Sequence, residues 1–412
     1  MKNGWESKSL AEVTVIRPPK AEARERLAAD ALVSFAPMED LGIDRKFLNA
    51  TQVRVLGSVV GNYTYFAEGD VLLAKITPCF ENGKLGIAKD LKNGIGFGSS
   101  EFIVLRPQAS LSNEYLYYYL SREDFRREGA AHMGGAVGQQ RVPKEFIERY
   151  PIPLPSLPEQ QRIVRILDEA FEGIATAKGN AEENLQNARA LFESHLQSVF
   201  TQHGEGWDRV TLQTLLERGW IESHLDGNHG GDYPRKEEFI GEGVPYISAN
   251  CLDDDRVDMC RAKYLSPGRA ALLRKGIAKD NDVLFAHNAT VGPVAILRTE
   301  EEKVILGTSL TYYRCNPEHI LPEYLAHYMR SFGFKTQYLQ VMRQSTRNQV
   351  PITKQREFWH VIPPLEEQKE IIVALSGLLE NGQRLASLYE RKLVALVALK
   401  KSLLHQAFTG QL

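Results

Sequence analysis

The residue types best suited to chemistry in this sequence lie in a polar, basic stretch, MRQSTRNQVPITKQREFW, at 342–359. Between 331 and 360 there are five lysines and arginines and one acid, Glu357, whereas the 412-residue chain has a net charge of −2. Arginine, asparagine and glutamine can hydrogen-bond to base edges, and serine, threonine and lysine suit phosphates. The stretch therefore predicts contact with DNA. The alternative is an ordinary solvated loop.

Metal and catalytic chemistry have no comparable signature. His224, Asp226, His229 and Asp232 are close in sequence, but turn residues surround them, which favours a loop built on Asx turns over a metal site. The glycine-rich GGAVGQQ is not followed by the GK[ST] of a phosphate-binding loop. The Asn-Pro-Pro-Tyr tetrapeptide of adenine methyltransferases is also absent. We therefore expect no metal, no cofactor and no catalytic activity in this chain.

Composition sets the broad class. The chain is 43% hydrophobic and 25% charged, which is ordinary globular composition for two or three domains. Its four cysteines are scattered without a CxxC pair, so neither a disulfide framework nor a structural zinc is expected. Its first residues lack the apolar region of a signal peptide, and its longest aliphatic run, LVALVAL, is too short to span a membrane. We expect a cytoplasmic protein.

An internal repeat organises the sequence. The junction PIPLPSLPEQQRIV, from 151, has a counterpart in HVIPPLEEQKEII, from 360, and Gln160 and Gln368 are 208 residues apart. The same offset relates Phe200 to Phe408, so the register holds over roughly 65 residues without a gap, which indicates duplication. Upstream the similarity is weaker, as between GDVLLA, from 69, and NDVLFA, from 281. This pattern suits a constant scaffold with divergent recognition surfaces.

The repeat predicts DNA contacts in both halves. The counterpart of the basic stretch is GGAVGQQRVPKEF, at 134–146, which lacks the Arg/Asn pair of the second half. Serines, a threonine and lysines in the preceding strands complete the predicted set. The predicted DNA-binding residues are Lys75, Lys84, Ser99, Ser100, Gln139, Gln140, Arg141 and Lys144 in the first half, and Thr308, Ser309, Arg343, Ser345, Thr346, Arg347, Asn348 and Gln349 in the second.

A long helix follows each junction. Apolar residues step by three and four, which puts them on one stripe, and about 42 residues give a rod of roughly 60 Å. We expect the two helices to pair as an antiparallel coiled coil, and the alternative is that each docks on its own domain. A second apolar face at 393–404 suits a partner protein. The predicted helix-pairing and partner-binding residues are Gln160, Ile163, Leu167, Leu185, Phe192, Leu196, Phe200, Gln368, Ile371, Leu375, Leu388, Leu396, Leu403 and Phe408; Leu385 lies on the same stripe.

The globular halves read as mixed α+β domains, because short strand-like runs alternate with turn residues and with helical segments such as NEYLYYYL. The sequence thus predicts four parts. Residues 1–156 and 203–364 are the two globular domains, and 157–202 and 365–412 are the two helices.

With these features, the chain resembles the specificity subunit of type I restriction–modification systems. The resemblance rests on the paired Pro-Leu-x-Glu-Gln junctions and on GDVLLAKITP, GSSEFIVLRP and GGAVGQQRV. It covers the whole chain. It implies an α+β protein with two homologous target recognition domains, separated by two long antiparallel helices that form a coiled coil, in a pseudo-twofold internal repeat.

The same resemblance implies a function. Each domain would read one part of a bipartite double-stranded DNA target, and the helices would set the spacer and dock two modification subunits. Those subunits would carry the adenine-N6 methyltransferase site and S-adenosylmethionine, and restriction subunits would add ATP- and Mg-dependent translocation and cleavage. Two other classes stay open: a self-contained enzyme, which would need a catalytic motif, and a coiled-coil scaffold that binds only protein.

Overall fold

A computed structural model describes residues 5–136, 138–201, 206–228, 230, 233–253, 255–344 and 348–412. The chain divides into two compact units. The first unit contains Met1–Glu182 and Arg391–Leu412, and the second contains Glu183–Glu390. Each unit therefore combines one globular domain with segments of both long helices. Within the described residues, no helix is long and apolar enough to cross a membrane.

The first unit holds two four-stranded sheets and one two-stranded sheet. Their strand orders are β2-β9-β6-β7, β4-β3-β8-β5 and β1-β10, and all pairs are antiparallel except β3 with β8. The strands are β1 (Glu6–Ser9), β2 (Thr14–Ile16), β3 (Leu32–Ala36), β4 (Gln52–Val55), β5 (Thr64–Ala67), β6 (Val71–Ala74), β7 (Leu85–Ile87), β8 (Ile95–Gly98), β9 (Phe102–Pro107) and β10 (Pro151–Leu154). The helices are α1 (Leu10–Val13), α2 (Ala21–Arg26), α3 (Leu56–Val59), α4 (Asn113–Leu120), α5 (Glu123–Ala131), α6 (Lys144–Arg149) and α7 (Leu157–Thr201).

Strand β6 lies between two cores. Successive side chains of a strand point to opposite faces. Accordingly, Val71 and Leu73 join the core that contains the α4 tyrosines, whereas Leu72 and Ala74 join the core that contains Ala36 of β3 and Phe66 of β5. Burial on both faces explains why this strand is a continuous apolar run rather than an alternating one.

The second unit repeats the first sheet as β12-β22-β19-β20 and the two-stranded sheet as β11-β23, and adds a five-stranded sheet, β13-β17-β14-β21-β18, and the β15-β16 pair. Its strands are β11 (Asp208–Thr211), β12 (Ile221–Asp226), β13 (Phe239–Ile240), β14 (Val244–Ile247), β15 (Leu252–Asp253), β16 (Arg256–Val257), β17 (Lys263–Leu265), β18 (Ile277–Ala278), β19 (Val283–Ala286), β20 (Val294–Ile296), β21 (Val304–Leu306), β22 (Leu310–Cys315) and β23 (Trp359–Ile362). Its helices are α8 (Leu212–Glu217), α9 (Pro267–Ala271), α10 (Pro322–Arg330), α11 (Phe332–Arg343), α12 (Ile352–Gln355) and α13 (Leu365–Thr409). The shared strand order confirms the internal repeat.

One buried ion pair is common to both units. In the first unit, Arg106 donates from Nε and Nη2 to the carboxylate of Asp70, at 2.7 and 2.9 Å. In the second, Arg314 makes the same two bonds to Asp282, at 2.9 and 2.7 Å. Both aspartates are almost fully buried. Each pair ties the start of the central strand of its sheet to the neighbouring strand.

Both long helices have 45 residues, and their ends pack on the globular domains. In the first unit, Ile163 and Leu167 of α7 share a core with Leu404 and Phe408 of α13. The Nη2 of Arg162 donates to the carbonyl of Leu412, 2.7 Å away, so the start of α7 lies beside the end of the chain. The predicted antiparallel pairing is confirmed within this unit, together with docking of each helix on the domain.

The second unit shows the same pairing at the other ends of the helices. Leu196 and Phe200 of α7 share a core with Leu375 of α13, and Arg189 forms an ion pair of 2.8 Å with Glu390. The predicted apolar stripe of α13 does not stay buried along its length. Leu385 and Leu388 are 42% and 49% exposed, so neither is buried between the helices, and contact of Leu388 with a partner stays a prediction. Of the other predicted helix residues, Leu185, Phe192, Ile371, Leu396 and Leu403 are half-buried.

Candidate nucleic-acid interface

The predicted DNA-binding residues of the first unit meet where β6 and β9 adjoin the glycine-rich loop before α6. Three backbone hydrogen bonds join these segments. Lys75 N–H donates to the carbonyl of Glu101 at 2.9 Å, Val142 N–H to that of Lys75 at 2.9 Å, and Thr77 N–H to that of Gln140 at 2.9 Å. We call residues 75–77, 101 and 140–142 the loop frame of the first unit.

Charged side chains fill this loop frame. Arg141 donates from Nε and Nη2 to the two carboxylate oxygens of Glu101, both at 2.9 Å. The ammonium of Lys75 donates to the carbonyl of Ser100 at 2.9 Å and is 3.6 Å from Glu101. The hydrogen bond from Arg141 holds the pKa of Glu101 below its usual range, and burial lowers the pKa of Lys75. The frame thus contains two basic side chains and one acidic side chain.

The second unit has an equivalent loop frame at residues 287–289, 309 and 348–350. His287 N–H donates to the carbonyl of Ser309 at 2.9 Å, Val350 N–H to that of His287 at 2.8 Å, and Ala289 N–H to that of Asn348 at 3.0 Å. Isolated β-bridges occur at the same place in both units, between Ile76 and Arg141 and between Asn288 and Gln349. The backbone arrangement is thus repeated while the side chains differ.

The side chains that replace Lys75, Glu101 and Arg141 in the second unit are His287, Ser309 and Gln349, none of them an acid, a lysine or an arginine. The hydroxyl of Ser309 accepts from the N–H of Ala249, 2.8 Å away, and His287 donates from Nδ1 to the carbonyl of Val350 at 3.0 Å. Asn348 lies exposed and Gln349 half-buried at the outer side of this frame. Their amides are the group type that reads adenine.

A buried polar network supports the second loop frame. The amide oxygen of Gln355 accepts from His224 at 3.1 Å, from Thr311 at 3.0 Å and from Tyr313 at 3.0 Å. Its amide nitrogen donates to the carbonyl of Val350, 3.1 Å away. Burial lowers the pKa of His224 to about 3, so this imidazole is neutral under physiological conditions. Gln355 therefore anchors the loop at Val350 from its buried side.

Other predicted DNA-binding residues lie outside the two frames or at their margins. The ammonium of Lys84 is bound by the carbonyl of Met38 at 2.8 Å, and Lys144 pairs with Glu148 within α6 at 2.6 Å. The hydroxyl of Ser99 accepts from the N–H of Glu101. Arg343 is exposed at the end of α11. Gln139 is exposed in the first loop, Thr308 precedes Ser309 in the second, and Ser345, Thr346 and Arg347 lie outside the described residues.

The residues that the sequence analysis missed include Glu101 and His287 within the frames and Gln355 beneath the second frame. An acid beside a predicted DNA surface would repel phosphates, so composition argued against Glu101. The sequence signal that could have found it is its place between Ser100 and the apolar strand that follows. His287 directly follows β19 just as Lys75 directly follows β6.

The structure describes part of the histidine–aspartate stretch, for which no metal site was expected, and both junction glutamines. His224 is inside the second unit bonded to Gln355, and His229 and Asp232 lie outside the described residues. Across the described part of the chain, no group of three or more histidine, cysteine, aspartate and glutamate residues could hold a metal. Gln160 and Gln368 are fully buried. Each amide bonds three backbone groups of its own unit, so these glutamines join helix to domain and are not available to a partner.

The sequence profile of one family, described as the type I restriction modification DNA specificity domain, matches residues 2–186 and 221–388. The two matches contain the two loop frames. The chain belongs to this specificity family. Its repeat is therefore a pair of specificity domains, each followed by a long helix.

Several specificity subunits are similar in sequence. The EcoAI specificity subunit of Escherichia coli is 34% identical over 54% of this chain, which covers 36% of the relative. The EcoEI specificity subunit of the same species is 41% identical over 39% of this chain and 27% of the relative. The chain thus aligns with about a third of the length of these two relatives. The MjaVIII specificity subunit of Methanocaldococcus jannaschii is 22% identical over 90% of this chain and 83% of the relative.

Solved structures share the fold of this specificity-family chain. One, from a study of complex assembly and conformational transition of the type I R-M system, has a TM-score of 0.77 at 19% identity and covers 100% of this chain and 99% of the other. The HsdS subunit of Thermoanaerobacter tengcongensis has a TM-score of 0.68 at 19% identity and covers 100% and 98%. At these identities the likeness concerns the fold, and it confirms the predicted fold class.

Proposed function

We propose that this chain is the non-catalytic DNA sequence-specificity subunit of a type I restriction–modification complex, and that each unit reads one part of a bipartite target. The observation that carries the proposal is the loop frame. The same backbone hydrogen bonds recur in both units around different side chains, as expected if one scaffold presents two sets of reading residues. The proposed reading domains are 1–156 and 203–364, and the proposed spacer helices are 157–202 and 365–412.

In each unit the amide side chains at the edge of the frame are the proposed base readers: Gln139 and Gln140 in the first, Asn348 and Gln349 in the second. Such side chains bond the N6 and N7 atoms of adenine in the major groove. Exposed cations such as Arg343 suit contacts with phosphates. Such contacts would give affinity for DNA without sequence preference. The predicted contact by Arg347 stays part of this proposal.

Partners supply the chemistry in this proposal. Two modification subunits would dock on the helices and carry S-adenosylmethionine, and restriction subunits would bring ATP and Mg. The exposed apolar residues of α13 support such docking, because Val394 and Val397 are 71% and 52% exposed. Isolated apolar side chains are common on surfaces, but neighbouring ones on one helix suit a protein interface. The assembly would work in the cytoplasm, where the chromosome is accessible.

DNA binding by the chain assembled with its modification subunits tests the proposal. Affinity for a target-containing duplex should fall steeply as salt rises, because phosphate contacts release counterions. Asn348→Ala should reduce discrimination in one half-site by about 5- to 150-fold, the worth of one bidentate amide–base pair. Gln213→Ala, at an exposed glutamine on α8, is the matched control and should change neither property. Salt-independent binding, or equal behaviour of the two variants, would favour the protein-only scaffold.

A further inference from the structure

Arg141 makes three side-chain hydrogen bonds within the protein, out of the five N–H groups of a guanidinium. The Nε and Nη2 groups form one of the two edges with which arginine can bind guanine or phosphate through paired hydrogen bonds, and here both donate to Glu101 at 2.9 Å. The remaining Nη1 donates to the carbonyl of Gln139, at 3.1 Å. To read DNA with its Nε–Nη2 edge, Arg141 would have to leave Glu101. Its geometry is that of a side chain holding its own loop.

The loop that Arg141 holds is closed by backbone bonds around the same residue. Arg141 N–H donates to the carbonyl of Gly134 at 2.9 Å, and Gly134 N–H donates to that of Arg141 at 3.1 Å. Gly135 and Gly138, with φ of +123° and +82°, make the turns in between. The side chain of Arg141 adds an anchor to Glu101 at the end of this glycine-rich segment. Gln139 and Gln140 lie at the end of it.

Glu101 is the residue that anchors the side chain of Arg141. Its side chain is 22% exposed, and that of Lys75 is 17% exposed. Lys75 is tethered in turn to the carbonyl of Ser100. Partial desolvation strengthens the interaction between opposite charges. An acid here adds no favourable contact with phosphates, so its place between two cations calls for an intramolecular role.

We propose that Glu101 and Arg141 form a latch that positions the glycine-rich loop of the first unit, and that Gln139 and Gln140, rather than Arg141, read the DNA there. Glu101 and Arg141 are then positioning residues. This inference rests on the proposed function and deepens it. The latch is specific to the first unit, because Ser309 and Gln349 occupy the two positions in the second.

Two variants separate positioning from direct reading in the chain assembled with its modification subunits. Glu101→Gln removes the negative charge of the acceptor. Arg141→Lys keeps the positive charge but cannot form the bidentate hydrogen bond. Both should reduce discrimination in the first half-site by the same factor, at least about fivefold if one reader is misplaced. The double variant should be no worse than either single one. The second half-site should be unaffected, and the slope of log affinity against log salt should stay that of the parent.

A direct contact gives the opposite pattern. If Arg141 touches a base or phosphate, Arg141→Lys or Arg141→Ala alters recognition while Glu101→Gln does not, or the salt slope of Arg141→Ala falls by about 1. Either result overturns the latch. Asp124→Asn, at an exposed ion pair on α5, is the matched control for loss of a carboxylate. Should a single variant fold poorly, the exchange Glu101→Arg with Arg141→Glu must restore the half-site, and failure to do so also refutes the latch. Absence of half-site discrimination by the parent would refute the proposed function itself.

Discussion

Mild acid should destabilise the second unit before the first. Burial lowers the pKa of His224 to about 3, of His327 to about 4 and of His360 to about 4. All three lie in the second unit and are at most 5% exposed. The described histidines of the first unit, His132 and His405, are exposed. Acid therefore acts on the two units differently.

The direction follows from linkage. An unfolded histidine has a pKa near 6.5, so below that pH the unfolded chain binds protons that the folded unit does not. Burying these histidines in their neutral form contributes to the free energy of unfolding. That contribution is fully present above about pH 6.5 and is lost as the pH falls toward the folded pKa values. Between pH 7 and pH 5, each buried histidine should lower the free energy of unfolding by about 2 kcal/mol, and the three together by about 6 kcal/mol. That is comparable with the whole stability of a typical domain, about 5–15 kcal/mol.

Hydrogen exchange measured by mass spectrometry resolves the two units. After correction for intrinsic exchange rates, the opening free energy of peptides from the second unit should fall by several kcal/mol between pH 7 and pH 5. His327→Leu should shrink that fall by about 2 kcal/mol, and His405→Gln should leave it unchanged. Equal losses in the two units, or a loss in the second unit that His327→Leu does not alter, would refute the reasoning.

Three further outcomes are expected. Gln160→Ala should lower the free energy of unfolding by about 2–4 kcal/mol, because three buried backbone groups lose their partner. Exposed Gln161→Ala should lower it little, and equal urea midpoints for the two variants would contradict this. Arg314→Met should lower the free energy of unfolding by about 3–5 kcal/mol, because it leaves Asp282 buried and unpaired. An unchanged melting temperature would argue against a stabilising Arg314–Asp282 ion pair. Four residues inserted near Gly179 lengthen α7 by about 6 Å, and the methylated motif in cells should then have a longer spacer with unchanged half-sites; an active variant with an unchanged spacer would count against the helices as spacers.

The repeat and the helices were predictable because they leave periodic signals. A constant offset of 208 residues and an apolar step of three and four are visible without tertiary information. The exposure of Leu388 was not predictable in this way. A stripe indicates which side chains share a helix face, but what covers that face depends on where the globular domain ends. The position of Gln160 was predictable and its role was not, because its three partners come from two separate backbone segments.

The loop frames were only half predictable. Charge and repeat position pointed to Arg141, Asn348 and Gln349. Their neighbours in space were invisible, because Glu101 is 40 residues from Arg141 and reaches it only through the pairing of β6 with β9. The sequence also led us to assign both cations of the first frame, Lys75 and Arg141, to DNA. It could not show that the guanidinium of Arg141 is already bound to a carboxylate.

The most direct test of two separate readers is an exchange of residues 203–364 for the corresponding domain of another specificity subunit with a known target. The chimera would be expressed in cells with its modification subunits, and the methylated motif would be determined by sequencing. Two-reader recognition predicts that one half-site is retained and the other becomes that of the donor. A change in both half-sites, or in neither, would contradict it.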